Sequence, residues 1–270
     1  MPTILITGAA GRIGTMLRSR LARPGRVLRL LDIAPLAQPP GPGEEDVTAS
    51  VTDMAAVTAA CTGVDAVVHL GGIPTEDAWA PILDVNINGT YTIFEAARRA
   101  GVPRVVFASS NHAVGFEPRE SFPVPEGAVP APDTYYGVSK VAGEALAALY
   151  ARRYGVEAIC VRILSCFDRP QNPRMLATWL SPDDAGRLFE ACLTAPAPGF
   201  RVIYGVSANT RGGWVSLDGA RALGYEPRDD AERYATEVLA AGGPDPADPV
   251  FRYLGGEFTL PSRDAPVPPR

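Results

Sequence analysis

Thr3-Ile4-Leu5-Ile6-Thr7-Gly8-Ala9-Ala10-Gly11-Arg12-Ile13-Gly14 is the stretch that decides the fold. Thr3–Thr7 is a short apolar run of the kind that forms a buried strand. Arg12–Leu21 carries helical spacing and stops at Pro24-Gly25. Between them lies Gly-x-x-Gly-x-x-Gly. At a strand-to-helix junction this pattern lets the backbone approach a pyrophosphate, while the helix N-terminus offers N–H groups and the positive end of its dipole. A glycine triplet alone is weak evidence; between the first strand and first helix of a βαβ unit it is strong.

The pattern continues outward. Val27–Asp32 is a second strand, Gln38–Gly43 a Pro/Gly loop, Thr52–Ala60 a short helix and Ala66–Leu70 a strand. Ile82–Arg99 reads as one long helix ended by Gly101 and Pro103, followed by a strand at Arg104–Ser109. Asn111–Thr134 is a long loop with five prolines, then come a helix at Tyr136–Tyr154 and a strand at Glu157–Ile163. Strands that are apolar throughout, alternating with helices, indicate an α/β fold with a doubly wound parallel sheet of Rossmann type. A mid-domain loop that long is more often functional than idle. Ser181-Pro182-Asp183-Asp184 opens a helix, Arg201–Tyr204 reads as a strand and Ser216–Leu223 as a short helix. The whole chain, 1–270, is expected to form a single Rossmann-type domain. A small substrate-binding appendage comes from its C-terminal part, segments about 171–180 and 205–270. Gly242 to Arg270 is Pro-rich and expected to wrap the surface or fray.

Composition excludes several classes. With 270 residues and 46% hydrophobic content the chain can bury a full core, and a net charge of −5 argues against a nucleic-acid partner. No apolar run approaches a membrane span. Cys61, Cys160, Cys166 and Cys192 lack C-x-x-C spacing and there are two histidines. Neither a metal site nor a disulfide framework is expected, and a reducing cytoplasm is the simplest location. A homo-oligomer is left open.

Two further features carry chemistry. Asp32 ends the second strand, 18 residues beyond Gly14. An acid there accepts hydrogen bonds from adenosine ribose hydroxyls and repels a 2′-phosphate, which favours NAD over NADP. Lys140 is the sole lysine beside 24 arginines and stands four residues after Tyr136. The i, i+4 spacing puts both on one helix face. A tyrosine of ordinary pKa near 10 is a poor base at neutral pH. A nearby ammonium, with an oxidised nicotinamide, favours the phenolate. Tyr136 is then a base for a substrate hydroxyl and Ser110, with Ser109 at a strand end, holds the reacting oxygen. Tyr135 is the rival base, but its i+5 spacing to Lys140 points it elsewhere.

These residues resemble the extended short-chain dehydrogenases/reductases. The likeness rests on the glycine motif, Asp32, His69-Leu70-Gly71-Gly72, Asn86-Ile87-Asn88-Gly89-Thr90, Ser109-Ser110 and Tyr136-Gly137-Val138-Ser139-Lys140. A sharper set resembles the uronate dehydrogenases: Phe107-Ala108-Ser109-Ser110-Asn111-His112, Arg162-Ile163-Leu164-Ser165-Cys166, the stretch from Asn172 to Trp179, Gly205-Val206-Ser207-Ala208-Asn209 and Gly255-Gly256-Glu257-Phe258. The resemblance runs nearly end to end. It implies NAD-dependent oxidation of the C1 hydroxyl of a hexuronic acid, galacturonate or glucuronate, to the aldarolactone. It implies a cofactor site of Gly8, Gly11, Arg12, Ile13, Gly14, Asp32, Leu70, Gly71, Asn86 and Lys140, and catalysis by Tyr136, Lys140 and Ser110. Thr75, Asn111, His112, Ser165, Arg174 and Phe258 would contact the sugar acid, with Arg174 gripping its carboxylate. Two departures stand out: Pro74-Thr75, where the family has a substrate-touching serine, and Ser50-Val51, where an Asp-Leu pair borders the adenine. The alternatives are a nucleotide-sugar epimerase or dehydratase, which shares the serine, tyrosine and lysine, and a non-catalytic dinucleotide sensor.

Overall fold

In a computed structural model, which describes residues 1–240, 242–243 and 248–261, the apolar runs become a seven-stranded sheet. Its strands are β1 (Thr3–Thr7), β2 (Val27–Asp32), β3 (Glu44–Thr48), β4 (Ala66–His69), β5 (Arg104–Ser110), β6 (Glu157–Ile163) and β9 (Phe200–Gly205). The order is β3-β2-β1-β4-β5-β6-β9 and every pairing is parallel. The order reverses between β1 and β4, and open parallel sheets bind ligands beyond the strand ends at such a reversal. The helices are α1 (Arg12–Leu21), α2 (Met54–Ala60), α3 (Trp79–Pro81), α4 (Gly89–Ala100), α5 (Tyr135–Tyr154), α6 (Met175–Thr178), α7 (Pro182–Thr194), α8 (Asp218–Ala222) and α9 (Ala235–Leu239).

Two apolar layers cover the sheet. Ile4, Ile6, Leu28, Leu30, Val68, Val106 and Val161 pack on one face with α1 and α7. Leu5, Leu31, Val67, Val105 and Cys160 pack on the other with α2, α4 and α5. Adjacent strand residues thus bury in opposite directions, which is why these strands are apolar throughout. A third cluster lies beyond the C-terminal strand ends and includes Val114, Val124, Leu164, Val206, Trp214, Phe251 and Leu254. Burying a side chain such as Phe251 or Leu254 contributes about 1.5–3 kcal/mol, so the tail segment around them is held down. The four cysteines are buried and unpaired.

The structure departs from the sequence reading in four places. β3 follows the Gln38–Gly43 loop, where no strand was expected. Its sequence, Glu-Glu-Asp-Val-Thr, has no apolar pattern because it is a half-exposed edge strand. Arg18 and Arg29 hold it through Glu44 and Glu45. The expected helix Ile82–Arg99 starts earlier, at Trp79, and its segment Ile82–Asn88 is a π-helix. A two-stranded sheet, β7 (Ser165–Cys166) with β8 (Trp179–Leu180), closes the region after β6. Finally, in the Pro-rich tail expected to wrap the surface or fray, Phe251 and Leu254 are buried in the third cluster and Phe258 stacks on His112; the expectation for 244–247 and 262–270 lies outside the described residues. Among the described residues no helix is long and apolar enough to cross a membrane.

Candidate active site

The glycine loop is shaped for close approach. Gly8 takes φ +70°, and a Cβ there would come 2.7 Å from Gly71 N; a Cβ on Gly14 would collide with the Gly8 carbonyl. Gly11 N donates to Gly8 O at 3.1 Å. Asp32, at the end of β2, accepts from Ala10 N through Oδ2 (2.9 Å) and from Ala34 N through Oδ1 (3.0 Å). Each carboxylate oxygen keeps a further lone pair for a ribose hydroxyl. Leu70 N donates to Thr7 O, tying β4 to β1 at the reversal. Ile13 is half-buried, while exposed Arg12 stacks its guanidinium 4.3 Å from the Phe167 ring centroid. The Ser50-Val51 departure is accommodated: Ser50 Oγ bonds Thr52 Oγ1 at 2.8 Å, and the Val51 side chain fills the space that Gly71 and Gly89 leave. A backbone-lined turn, a helix N-terminus and an acid at the strand end fit a dinucleotide, and the acid fits NAD.

Beneath the loop runs a buried polar chain. His69 bonds Thr7 Oγ1 through Nδ1 (2.8 Å) and Thr90 Oγ1 through Nε2 (3.2 Å), and Thr90 donates on to Asn86 O. Burial, aided by Lys140, pushes His69 down to about 3, so it stays neutral and structural. Asn86 is buried in the π-helical segment. Its amide accepts from Ile73 N (2.7 Å) and donates to Ile73 O and Ser139 Oγ (both 3.1 Å). The amide therefore joins the 72–76 loop to α5.

Tyr136 and Lys140 lie together on the inner face of α5, both buried, with Nζ 5.3 Å from the phenol ring centroid. Lys140 donates to Ala108 O at 2.8 Å. Ser110 ends β5, and its hydroxyl accepts from His112 N at 3.2 Å. Tyr135 points away, exposed against Trp79. The lowered phenol is expected with an oxidised nicotinamide beside the ammonium; in the protein alone burial dominates. Burial raises Tyr136 to about 12, against the Ser110 hydroxyl, and lowers Lys140 to about 8. In the protein alone desolvation outweighs the ammonium, so the phenolate depends on what enters the cleft. One turn further along α5, Glu144 pairs with Arg162 through two bonds of 2.8 and 2.9 Å and accepts from Ser109 at 2.6 Å. This buried ion pair braces α5 against β5 and β6.

The substrate-side residues converge through shared partners. Asn111 Nδ2 donates to Leu254 O at 3.1 Å, and Arg174 donates to the same carbonyl. Ser165 Oγ bonds Thr178 Oγ1 at 2.9 Å, and Thr178 lies one turn from Arg174. His112 bonds Asp133 at 2.7 Å, stacks on Phe258 with centroids 4.0 Å apart and meets the Tyr136 ring edge-on at 5.7 Å. Arg174 Nε is buried with no hydrogen-bond partner among the described residues, and burial lowers the guanidinium to about 10, against Asp133 and Glu257. Thr75 stands apart: it is exposed, in a loop attached by Glu76, which accepts from Tyr135 N and Tyr136 N (3.2 and 2.8 Å). The sequence reading passed over Glu76, Asp133 and Glu144, because each acts through a distant segment and belongs to no local motif; Thr178 lies within the Asn172–Trp179 stretch, but its bond to Ser165 follows no spacing. Only Thr134, an N-cap that accepts from Gly137 N, left a local signal near one of them.

A Rossmann frame with a serine, tyrosine and lysine at the strand ends defines the class: nicotinamide-dependent enzymes acting on a CH–OH carbon. Comparison with known proteins narrows it. The profile described as "NAD dependent epimerase/dehydratase family" matches residues 4–180. A uronate dehydrogenase of Pseudomonas putida is 46% identical over 95% of each chain. One from Agrobacterium fabrum is 47% identical over 96% of this chain and 97% of its own. A crystal structure of the Agrobacterium tumefaciens uronate dehydrogenase, a tyrosine mutant complexed with NAD, superposes with a TM-score of 0.90 at 44% identity, covering 96% of this chain and 97% of that one. The chain belongs to the NAD-dependent epimerase/dehydratase family and, within it, to the uronate dehydrogenases.

Proposed function

We propose that the protein oxidises the C1 hydroxyl of a cyclic hexuronic acid to the aldarolactone, with NAD as oxidant. The observation that carries this reading is Arg174: among the described residues its buried Nε has no hydrogen-bond partner, while its Nη2 donates to Leu254 O, the carbonyl it shares with Asn111. A cation so poorly solvated gains from an anion, and a guanidinium meets a carboxylate through parallel charge-assisted bonds. Asp133 and Glu257 already favour the cation, and a neutral aldose would leave Nε without an acceptor.

Gly8, Gly11, Arg12, Ile13, Gly14, Asp32, Leu70 and Gly71 would hold NAD, with Asn86 shaping the adjoining loop and Lys140 reaching the nicotinamide ribose. When bound, NAD accepts hydride from C1 and brings a positive charge to the cleft. The chain supplies the rest. Tyr136 takes the C1 hydroxyl proton on its phenol oxygen, Ser110 holds the C1 oxygen, and Lys140 steadies the phenolate. Arg174 grips the carboxylate, while Asn111, His112 and Ser165 meet ring hydroxyls and Phe258 backs the sugar. Thr75 is available to the sugar from its exposed loop. The segments about 171–180 and 205–270 form the substrate side of one Rossmann-type domain. The buried, unpaired cysteines support a cytoplasmic setting. The near end-to-end likeness to uronate dehydrogenases does not favour an epimerase, dehydratase or sensor.

The test is product analysis. Incubation with NAD and galacturonate or glucuronate should give NADH and a lactone as first product. Epimerised sugar without net NADH would overturn the assignment.

A further inference from the structure

Three separate segments are shaped around Asp133, a residue outside every motif. A Cβ on Gly115 or on Gly255 would collide with its Oδ2, and one on Gly137 would collide with the His112 carbonyl and press Asp133 Oδ1 at 3.1 Å. The turn after β5, the first turn of α5 and the tail thus all forgo a side chain where this carboxylate sits. The side chain has no solvent exposure. Oδ1 accepts from the Thr134 hydroxyl at 3.0 Å, and Oδ2 lies 2.7 Å from His112 Nδ1.

An ionised carboxylate only accepts hydrogen bonds, so the ring hydrogen it meets sits on Nδ1. The rest of the ring is placed too. Phe258 covers one face and Tyr136 stands at the edge. Among the described residues none hydrogen-bonds Nε2, and in the neutral imidazole that nitrogen is an acceptor.

We infer that Asp133 is a positioning residue: it locks His112 in the Nδ1–H tautomer so that Nε2 accepts a hydrogen bond from one ring hydroxyl of the sugar acid. This rests on the uronate reading above and deepens it. Besides the carboxylate, the site demands a hydroxyl donor at one fixed place near the reacting carbon. Asp133 also favours the Arg174 cation, so one carboxylate supports both groups that face the substrate.

The experiment compares wild type, D133N, H112A and the double variant on uronates lacking one ring hydroxyl at a time, at saturating NAD. An asparagine can offer N–H to Nδ1 and move the ring hydrogen to Nε2, turning the acceptor into a donor. D133N and H112A should each lose about 10- to 100-fold in kcat/KM on the full uronate, the cost of one unsatisfied buried hydrogen bond. For one deoxy substrate the loss should vanish, and the double variant should be no worse than H112A. Equal losses on every deoxy substrate, or losses that multiply in the double variant, would overturn the proposal. If D133N fails to fold, H112A alone decides: a loss tied to one hydroxyl supports the lock, and a uniform loss refutes it. A wild type that makes no NADH from any uronate removes the underlying reading and this proposal together. A wild type that does, with uniform losses in the variants, removes only the proposal.

Discussion

The proposed nucleotide end and the proposed sugar end of the site are built by different means. The first is made of backbone: glycines that admit a close approach, a helix N-terminus, and one aspartate fixed by the N–H groups of its neighbours. The second is made of side chains gathered from far apart. Arg174 and Asn111 share the carbonyl of Leu254, and His112 lies against Phe258. A backbone site needs only a short local motif; a side-chain site needs the tail to be docked. The contrast implies that changes at the first end act on NAD alone, while changes at the second act on the sugar acid alone.

Three variants test that division, beginning with the residue where both ends meet. Tyr136→Phe removes the base and should cut NADH formation by about 10²–10⁴-fold, with NAD binding measured by calorimetry little changed. Retained turnover would remove the base assignment. Arg174→Ala should raise KM for uronate by about 100-fold, from a lost charged hydrogen bond of about 1.5–3 kcal/mol, yet hardly affect a neutral aldose. Equal effects on the two sugars would erase the difference between the ends. Gly14→Ala sets a Cβ against the Gly8 carbonyl and should cost about 1–3 kcal/mol through overpacking. It should weaken NAD more than uronate, and a weaker sugar site with normal NAD affinity would break the comparison from the other side.

The smallest effect concerns stability and pH. His69 is held at about 3 when folded, against about 6.5 when exposed. Between those values the unfolded chain binds more protons, so stability falls as pH drops from about 6.5 toward 3. The loss should amount to a few kcal/mol. His69→Gln should flatten the acid limb of Tm against pH; an unchanged slope would show that other groups set it.

The same contrast explains what could be read from the sequence. The strand-loop-helix unit, Asp32 and the Tyr136/Lys140 spacing are local, and local periodicity reveals them. β3 escaped because an edge strand is charged on purpose, as exposed backbone edges must be to avoid pairing. Most of the candidate site residues were legible only through family motifs. Their coherence, through Leu254, Thr178 and Asp133, depends on contacts across the chain that no spacing encodes. The electrostatics were legible only in part: the lowered phenol is expected with ammonium and oxidised nicotinamide both present, whereas in the protein alone burial raises Tyr136, and no spacing encodes that burial.

The most direct test of the central claim is the ratio of kcat/KM for galacturonate to that for galactose, followed through NADH formation. The account predicts a ratio of about 100 or more, set by Arg174 and collapsing toward unity in Arg174→Ala. Comparable values for the two sugars in the wild type would contradict it.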